Sequence, residues 1–128
     1  MLPDRLLDGK RVPEVVADGF RRALAVVELE PGIPQACRMP DGESLCLVRD
    51  GDAIYAMVDR CPHRDFNLSG GDMVAPGVIE CPWHGAQFDC RTGAVLQGPA
   101  TDDLVMYPVR VEGGDVYVGP STQNRRSP

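Results

Sequence analysis

The sequence predicts an all-β fold, an antiparallel sandwich or barrel, on three observations. Apolar runs are short and strand-like, tight-turn pairs separate them, and 14 Gly and 12 Pro among 128 residues interrupt the chain too often for long helices. At this length one domain buries about two thirds of its unfolded surface, so a single core suffices without a covalent staple.

The elements follow in order. Residues 1–19 mix charges with Pro3, Gly9, Pro13 and Gly19, lack sustained periodicity, and read as an N-terminal extension with one short helical turn around Glu14 to Ala17. From residue 20 a β pattern begins: a strand over Arg22 to Val27, a turn at Glu28-Leu29-Glu30-Pro31-Gly32, and a second strand over Ile33 to Met39. Asp41-Gly42 and Asp50-Gly51-Asp52 are hairpin signals that bracket a strand from Ser44 to Arg49 and lead into another from Ala53 to Val58. Towards the C-terminus, Asp103 to Glu112 and Val116 to Val118 flank Gly113-Gly114, a further tight hairpin. Pro108 lacks an N–H and makes the first of these an edge or bulged strand. The main domain is thus read as 20–119, with 120–128 a flexible tail.

The strand series is interrupted by residues 61–93, rich in Gly and Pro. Strand pattern there is confined to Gly77-Val78-Ile79-Glu80 and Gln87-Phe88-Asp89. A segment this long without regular structure is unusual in a compact domain unless something organises it, and a metal would do so.

Charge and composition narrow the function. A formal charge of -6 argues against nucleic acid, whose phosphates call for surplus Lys and Arg, and favours basic protein surfaces as partners. No run approaches the roughly 18 apolar residues of a membrane span. Arg21-Arg22 could open a twin-arginine export signal, but only Ala23 to Val27 follow before Glu28, too short for an apolar signal core. The expected address is therefore cytoplasmic, where five cysteines serve as metal ligands or buried thiols rather than disulfides.

The stretch CPHRDFNLSGGDMVAPGVIECPWHG, residues 61–85, contains both histidines of the chain, each beside a cysteine: Cys61-x-His63 and Cys81-x-x-His84. Two short-spaced pairs on separate loops can converge on one metal site, and Pro62 and Pro82 stiffen the loops through their fixed φ. Three readings are open. Isolated thiols and imidazoles are usually core and surface residues. Two Cys and two His also make a structural zinc set, although zinc-finger spacing keeps like ligands together. A [2Fe-2S] cluster with one iron on thiolates and the other on imidazoles needs one Cys and one His from each loop, which is the order present.

Cys61-Pro-His63 and Cys81-Pro-Trp-His84-Gly resemble the Rieske [2Fe-2S] signature, and the likeness runs on through Gln87-Phe-Asp-Cys-Arg-Thr-Gly93, Gly98-Pro-Ala100 and Tyr107-Pro-Val-Arg-Val111. The chain resembles the soluble Rieske ferredoxins that serve ring-hydroxylating oxygenases. The resemblance implies that Cys61 and Cys81 bind the inner iron while His63 and His84 bind the outer one near solvent, on a small subdomain of about residues 59–100 inserted in a sandwich or barrel base. Two ferric ions, two sulfides and two thiolates sum to a neutral oxidised site, which accepts an electron more readily than a four-thiolate site. Trp83 is expected to pack over the cluster, and Pro99 to belong to a third loop beside it. Arg64 and Asp65, charged where many relatives are small, are candidates for tuning docking or histidine protonation. Cys37, Cys46 and Cys90 have no ligand partner at motif spacing, and Cys46, in the apolar run Leu45 to Val48, is expected to be a buried thiol.

The high-potential branch of the same family has an extra cysteine in each loop, forming a disulfide, and Ser and Tyr hydroxyls against the cluster. Here both cysteines are missing, and Ala86 and Phe88 stand where the hydroxyls would be. After the cluster takes both histidines, none remains for the mononuclear iron of an oxygenase, and no Gly-x-Gly-x-x-Gly fingerprint offers a nicotinamide or flavin site. The resemblance thus implies a non-enzymatic one-electron carrier, monomeric when isolated, between an NAD(P)H-dependent flavoprotein reductase and a terminal Rieske oxygenase. A fixed electron-transfer subunit of a larger oxidoreductase, such as nitrite reductase, and a zinc-stabilised interaction module are the alternatives. Donors to sulfur stabilise the reduced cluster, so their loss lowers the potential. A redox titration is expected to place the midpoint towards the low end of the roughly -150 to +300 mV Rieske range, and a value well above about +100 mV would refute this.

Overall fold

A computed structural model of the chain describes residues 5–7 and 10–12 as backbone, and residues 19–40, 42–61, 67–82, 85–98 and 102–121 in full. The helical turn expected around Glu14 to Ala17 lies outside these residues, as do Asp41, Pro62, His63, Arg64, Asp65, Trp83, His84, Pro99 and 122–128. The described residues are all β apart from two 3-10 turns, Val26–Glu28 and Leu68–Gly70, and every strand pairing is antiparallel.

In chain order the strands are β1 (Arg5–Leu7), β2 (Lys10–Val12), β3 (Arg21–Ala25), β4 (Gln35–Arg38), β5 (Ser44–Asp50), β6 (Ala53–Val58), β7 (Asp72–Ala75), β8 (Val78–Glu80), β9 (Gln87–Asp89), β10 (Val95–Gln97), β11 (Met106–Tyr107), β12 (Val109–Glu112) and β13 (Asp115–Val118). They form a β1-β2 hairpin, a central sheet β11-β6-β5-β4, a three-stranded sheet β12-β13-β3, and a third sheet β10-β9-β8-β7. The β1-β2 pairing was not expected. Its register sets Leu7 opposite Lys10, and the two residues between them in sequence, Asp8-Gly9, are a pair that favours two-residue hairpins.

The continuous apolar stretch of β5 is explained by burial on both faces. Leu45 and Leu47 enter one core with Leu24, Ala56, Val116 and Val118, while Cys46 and Val48 enter a second with Met57, Ile79 and Phe88. Strand β6 alternates in the same way: Ile54, Ala56 and Val58 face the first core, Tyr55 and Met57 the second. On the first side, β3 runs beside β4 and β12 beside β6, so the three-stranded sheet meets the central sheet at both margins. The hydroxyl of Tyr107 donates to Glu43, whose carboxylate also pairs with Arg21 at 3.7 Å, tying β11, the turn before β5 and β3 together.

Pro108 divides the single strand expected over Asp103 to Glu112. Residues 106–107 pair with β6 and residues 109–112 with β13, so the chain changes sheet at the residue that cannot donate, while the Pro108 carbonyl still accepts from Gly119 N at 2.9 Å. The strand expected over Arg22 to Val27 runs instead over Arg21–Ala25 and ends in the first 3-10 turn. The interrupting segment is more regular than its sequence suggested. Strands β7 and β10 complete a four-stranded sheet there; they are three or four residues long and leave Val74 and Leu96 46% and 53% exposed, so no apolar alternation marks them.

This sheet is joined to the base through the second core. Ile79 of β8, Phe88 of β9 and Leu68 of the second 3-10 turn are fully buried against residues of β5 and β6, each contributing about 1.5–3 kcal/mol. Gly93 connects it further: its N–H donates to Asp89 O at 2.6 Å and its carbonyl accepts from Leu104 N at 2.8 Å. A Cβ at Gly93, which has φ +85°, would stand 2.5 Å from the Leu104 carbonyl oxygen, whereas one at Gly113, φ +58°, would meet nothing within 4 Å. Gly113→Ala should therefore cost only about 1–2 kcal/mol for its left-handed backbone, and Gly93→Ala clearly more, as read from urea unfolding.

Candidate metal centre

Each cysteine of the paired motif sits shortly beyond a strand end, Cys81 directly after β8 and Cys61 three residues after β6. The hydrogen-bonded pairing of β6 with β5 extends one residue past the strand, Asp59 N donating to Ser44 O at 3.2 Å, and Cys61 follows two residues on. Cys81 follows β8, and its N–H donates to the carbonyl of Ala86 at 2.7 Å. That bond continues the register in which Glu80 faces Gln87, so Cys81 and Ala86 extend the β8-β9 pairing by one step. The side chain of Gln87 donates to Glu80 Oε2 at 3.0 Å, and that of Gln97 to the Gly85 carbonyl at 3.1 Å, tying β9 to β8 and β10 to Gly85.

Both cysteines are buried, Cys61 at 1% exposure and Cys81 at 2%, and both belong to the second core. None of the chain's five cysteines is in a disulfide. The tertiary structure thus places two residues that are twenty positions apart in sequence in the same core; His63 and His84 lie outside the described residues. Among the described residues no group of three or more His, Cys, Asp or Glu converges on a metal position, so a complete ligand set requires donors beyond them.

The surroundings of the pair are apolar. Ala86 and Phe88, the positions that lack hydroxyls, are fully buried in the same core, with Leu68, Ile79 and Leu104. A thiolate in such a place requires a cation beside it, and two buried thiols from separate loops fit the inner, thiolate side of a two-iron cluster.

One residue that the sequence reading passed over is prominent here. Asp59 is 5% exposed, and its carboxylate accepts from Ser69 N at 2.6 Å, Ser69 Oγ at 2.8 Å and Asn67 Nδ2 at 3.3 Å. Asn67 and Ser69 are thereby held against the residue two before Cys61. An Asp before the loop and Asn-x-Ser after it, all side chains that bond nearby backbone, are the sequence signal that could have revealed this.

The thiols of the remaining three cysteines are all raised above their ordinary value. Burial, then the charges of Asp59 and Cys90, holds the Cys46 thiol far above its ordinary value, in keeping with the expected buried thiol. Burial, assisted by Asp89, pushes Cys90 up to about 12, and its Sγ lies 3.8 Å from Met73 Sδ. Half-buried Cys37 is raised by burial and by Glu28, with its thiol 3.7 Å from the Ala23 carbonyl.

Two buried thiols on strand-anchored loops, inside an antiparallel β assembly and each with a histidine close behind in sequence, define an iron-sulfur type of β protein. Residues 21–108 match the Rieske [2Fe-2S] domain, and the chain belongs to that family. It is 40% identical over 84 residues to the 3-phenylpropionate/cinnamic acid dioxygenase ferredoxin subunit of Escherichia coli K12, a match covering 66% of this chain and 79% of that one. Among solved structures it is similar to the ferredoxin of carbazole 1,9a-dioxygenase from Nocardioides aromaticivorans IC177, with 36% identity and a TM-score of 0.73 over 80% of this chain and 98% of that one. It is also similar to a chain in the complex of reduced oxygenase and oxidized ferredoxin in carbazole 1,9a-dioxygenase, with 33% identity and a TM-score of 0.73 over 80% and 94% of the two chains. The chain is accordingly an electron carrier with a Rieske-type [2Fe-2S] cluster.

The folded pKa of Cys90 lies above its ordinary 9.0, so unfolded chains lose this proton first. Its stabilising contribution is complete below pH 9 and is lost as pH rises from there towards 12. The melting temperature should fall across that window, less steeply in Cys90→Ala. Alkylation of Cys90 in the native protein at pH 8 should be much slower than in the unfolded chain.

Proposed function

We propose that Cys61, His63, Cys81 and His84 together hold the cluster, the cysteines on the inner iron and the histidines on the outer, with residues 59–100 as the cluster-bearing subdomain of a Rieske domain spanning 20–119. The observation that carries this reading is the burial of Cys61 and Cys81 in one apolar core, each on a loop anchored to a strand end. When bound, the cluster takes up and releases one electron; the chain's part is to anchor it and to set its surroundings. Ala86 and Phe88 bring no hydroxyl to the core around the cysteines, which supports a low potential.

The electron is received from an NAD(P)H-dependent flavoprotein reductase and delivered to the Rieske terminal oxygenase of a ring-hydroxylating system, an aromatic-ring dioxygenase or monooxygenase. The names of the relatives support this: one is a dioxygenase ferredoxin subunit, and another is a ferredoxin in complex with its oxygenase. The chain itself is a component of that system and not an enzyme. It works as a cytoplasmic monomer; among the described residues no helix is long and apolar enough to cross a membrane.

Reconstitution tests both levels. Purified protein should be red-brown with a reduced Rieske EPR signal, and should restore NAD(P)H-driven hydroxylation to a reductase and oxygenase lacking their ferredoxin. Cys61→Ala, His63→Ala, Cys81→Ala and His84→Ala should each abolish colour, signal and turnover. A colourless wild type containing zinc would refute the cluster assignment, whereas a reducible cluster that never delivers electrons to any such oxygenase would refute the partner assignment alone.

A further inference from the structure

The turn at 67–71 touches both cysteine-bearing loops. At its start, Asn67 and Ser69 hold the Asp59 carboxylate that precedes Cys61. In its middle, Leu68 places a fully buried side chain in the core shared by Cys61 and Cys81, and the turn packs against β5. At its end, a Cβ built on Gly71 would stand 1.9 Å from the carbonyl oxygen of Glu80, which adjoins Cys81, and one on Gly70 would stand 3.9 Å from Cγ of Pro82. With φ -89° at Gly71, the need for glycine there is steric. Five consecutive residues thus span from the root of one loop to the root of the other.

We propose that Asp59 and Ser69 are positioning residues, which through this turn set the spacing of the two cysteine loops before metal arrives and hold it constant between the two redox states. The proposal rests on the assignment of Cys61 and Cys81 as ligands. Both carboxylate oxygens of Asp59 are engaged, Oδ1 by Ser69 N and Oδ2 by Ser69 Oγ and Asn67 Nδ2. Hydrogen bonds to a buried carboxylate are of the stronger, charge-assisted kind, and removing a partner leaves the charge under-satisfied. A loop not held in this way has to be ordered by the metal itself, and the entropy of that ordering weakens metal binding. A preset loop avoids that cost, so the clamp should be visible in how firmly iron is retained.

The test uses full-length, cluster-loaded protein in four forms: wild type, Ser69→Ala, Asp59→Asn and Val118→Ala. Val118 is fully buried in the other core and serves as a destabilised control. Cluster loss to excess iron chelator is followed by visible absorbance well below each melting temperature, and the melting temperatures are recorded separately. Ser69→Ala should lose the cluster about tenfold faster than wild type, and Asp59→Asn faster still, both with a broadened reduced EPR signal. Val118→Ala should melt earlier without faster loss. Should Asp59→Asn not fold, Ser69→Ala decides by itself. The proposal is overturned if Ser69→Ala loses the cluster no faster than wild type, or if the rates of all forms simply follow their melting temperatures. A wild type that takes up no two-iron cluster would instead overturn the ligand assignment, before any variant is compared.

Discussion

Strands β5 and β6 are buried on both faces, and the rest of the molecule is arranged around that constraint. Because successive side chains point to opposite faces, Leu45 and Leu47 build one core while Cys46 and Val48 build the other. The first core needs only the three-stranded sheet to cover it. The second is covered by the β7–β10 sheet and includes Cys61 and Cys81, so the proposed inner ligands are part of the core itself. A one-residue slip of β5 against β6 would exchange the two faces and place Cys46 and Val48 in the wrong core.

This arrangement explains how residues just beyond the strands can present buried thiols. Cys61 is delivered by the end of β6 and Cys81 by the end of β8, each one or two residues beyond a ladder hydrogen bond or strand end. The apolar residues around them, Leu68, Ile79, Ala86, Phe88 and Leu104, exclude water from the inner side. The polar groups nearby are committed elsewhere: Asp59 to Ser69 and Asn67, Gln87 to Glu80, Gln97 to the Gly85 carbonyl. That apolar setting, with no hydroxyl from Ala86 or Phe88, is what the proposed low potential rests on.

Much of the fold was legible in the sequence because it is written in local signals. Asp50-Gly51-Asp52 and Gly113-Gly114 do form the tight hairpins expected of them, with Asp50 opposite Ala53 and Glu112 opposite Asp115. The run Leu45 to Val48 is a strand, and Cys46 in it is a buried thiol. Strands β7 and β10 escaped because they are short edge strands with exposed Val74 and Leu96, which carry no period-two pattern. The break at Pro108 was half visible: the missing N–H was apparent, but not that the chain would use it to pass from one sheet to another.

The chemistry is written in residue types and their spacing. Two mixed Cys/His pairs, the absence of a further histidine, and Ala86 and Phe88 in place of hydroxyl donors are properties of residue type and spacing, and they point to a Rieske electron carrier whatever the coordinates. Only the tertiary structure decided what surrounds the two cysteines. That Gly71 must lie against the Glu80 carbonyl and that Cys61 and Cys81 share a core with β5 are contacts between residues on separate elements. They arise from packing and hydrogen-bond geometry, which no local period or motif spacing records.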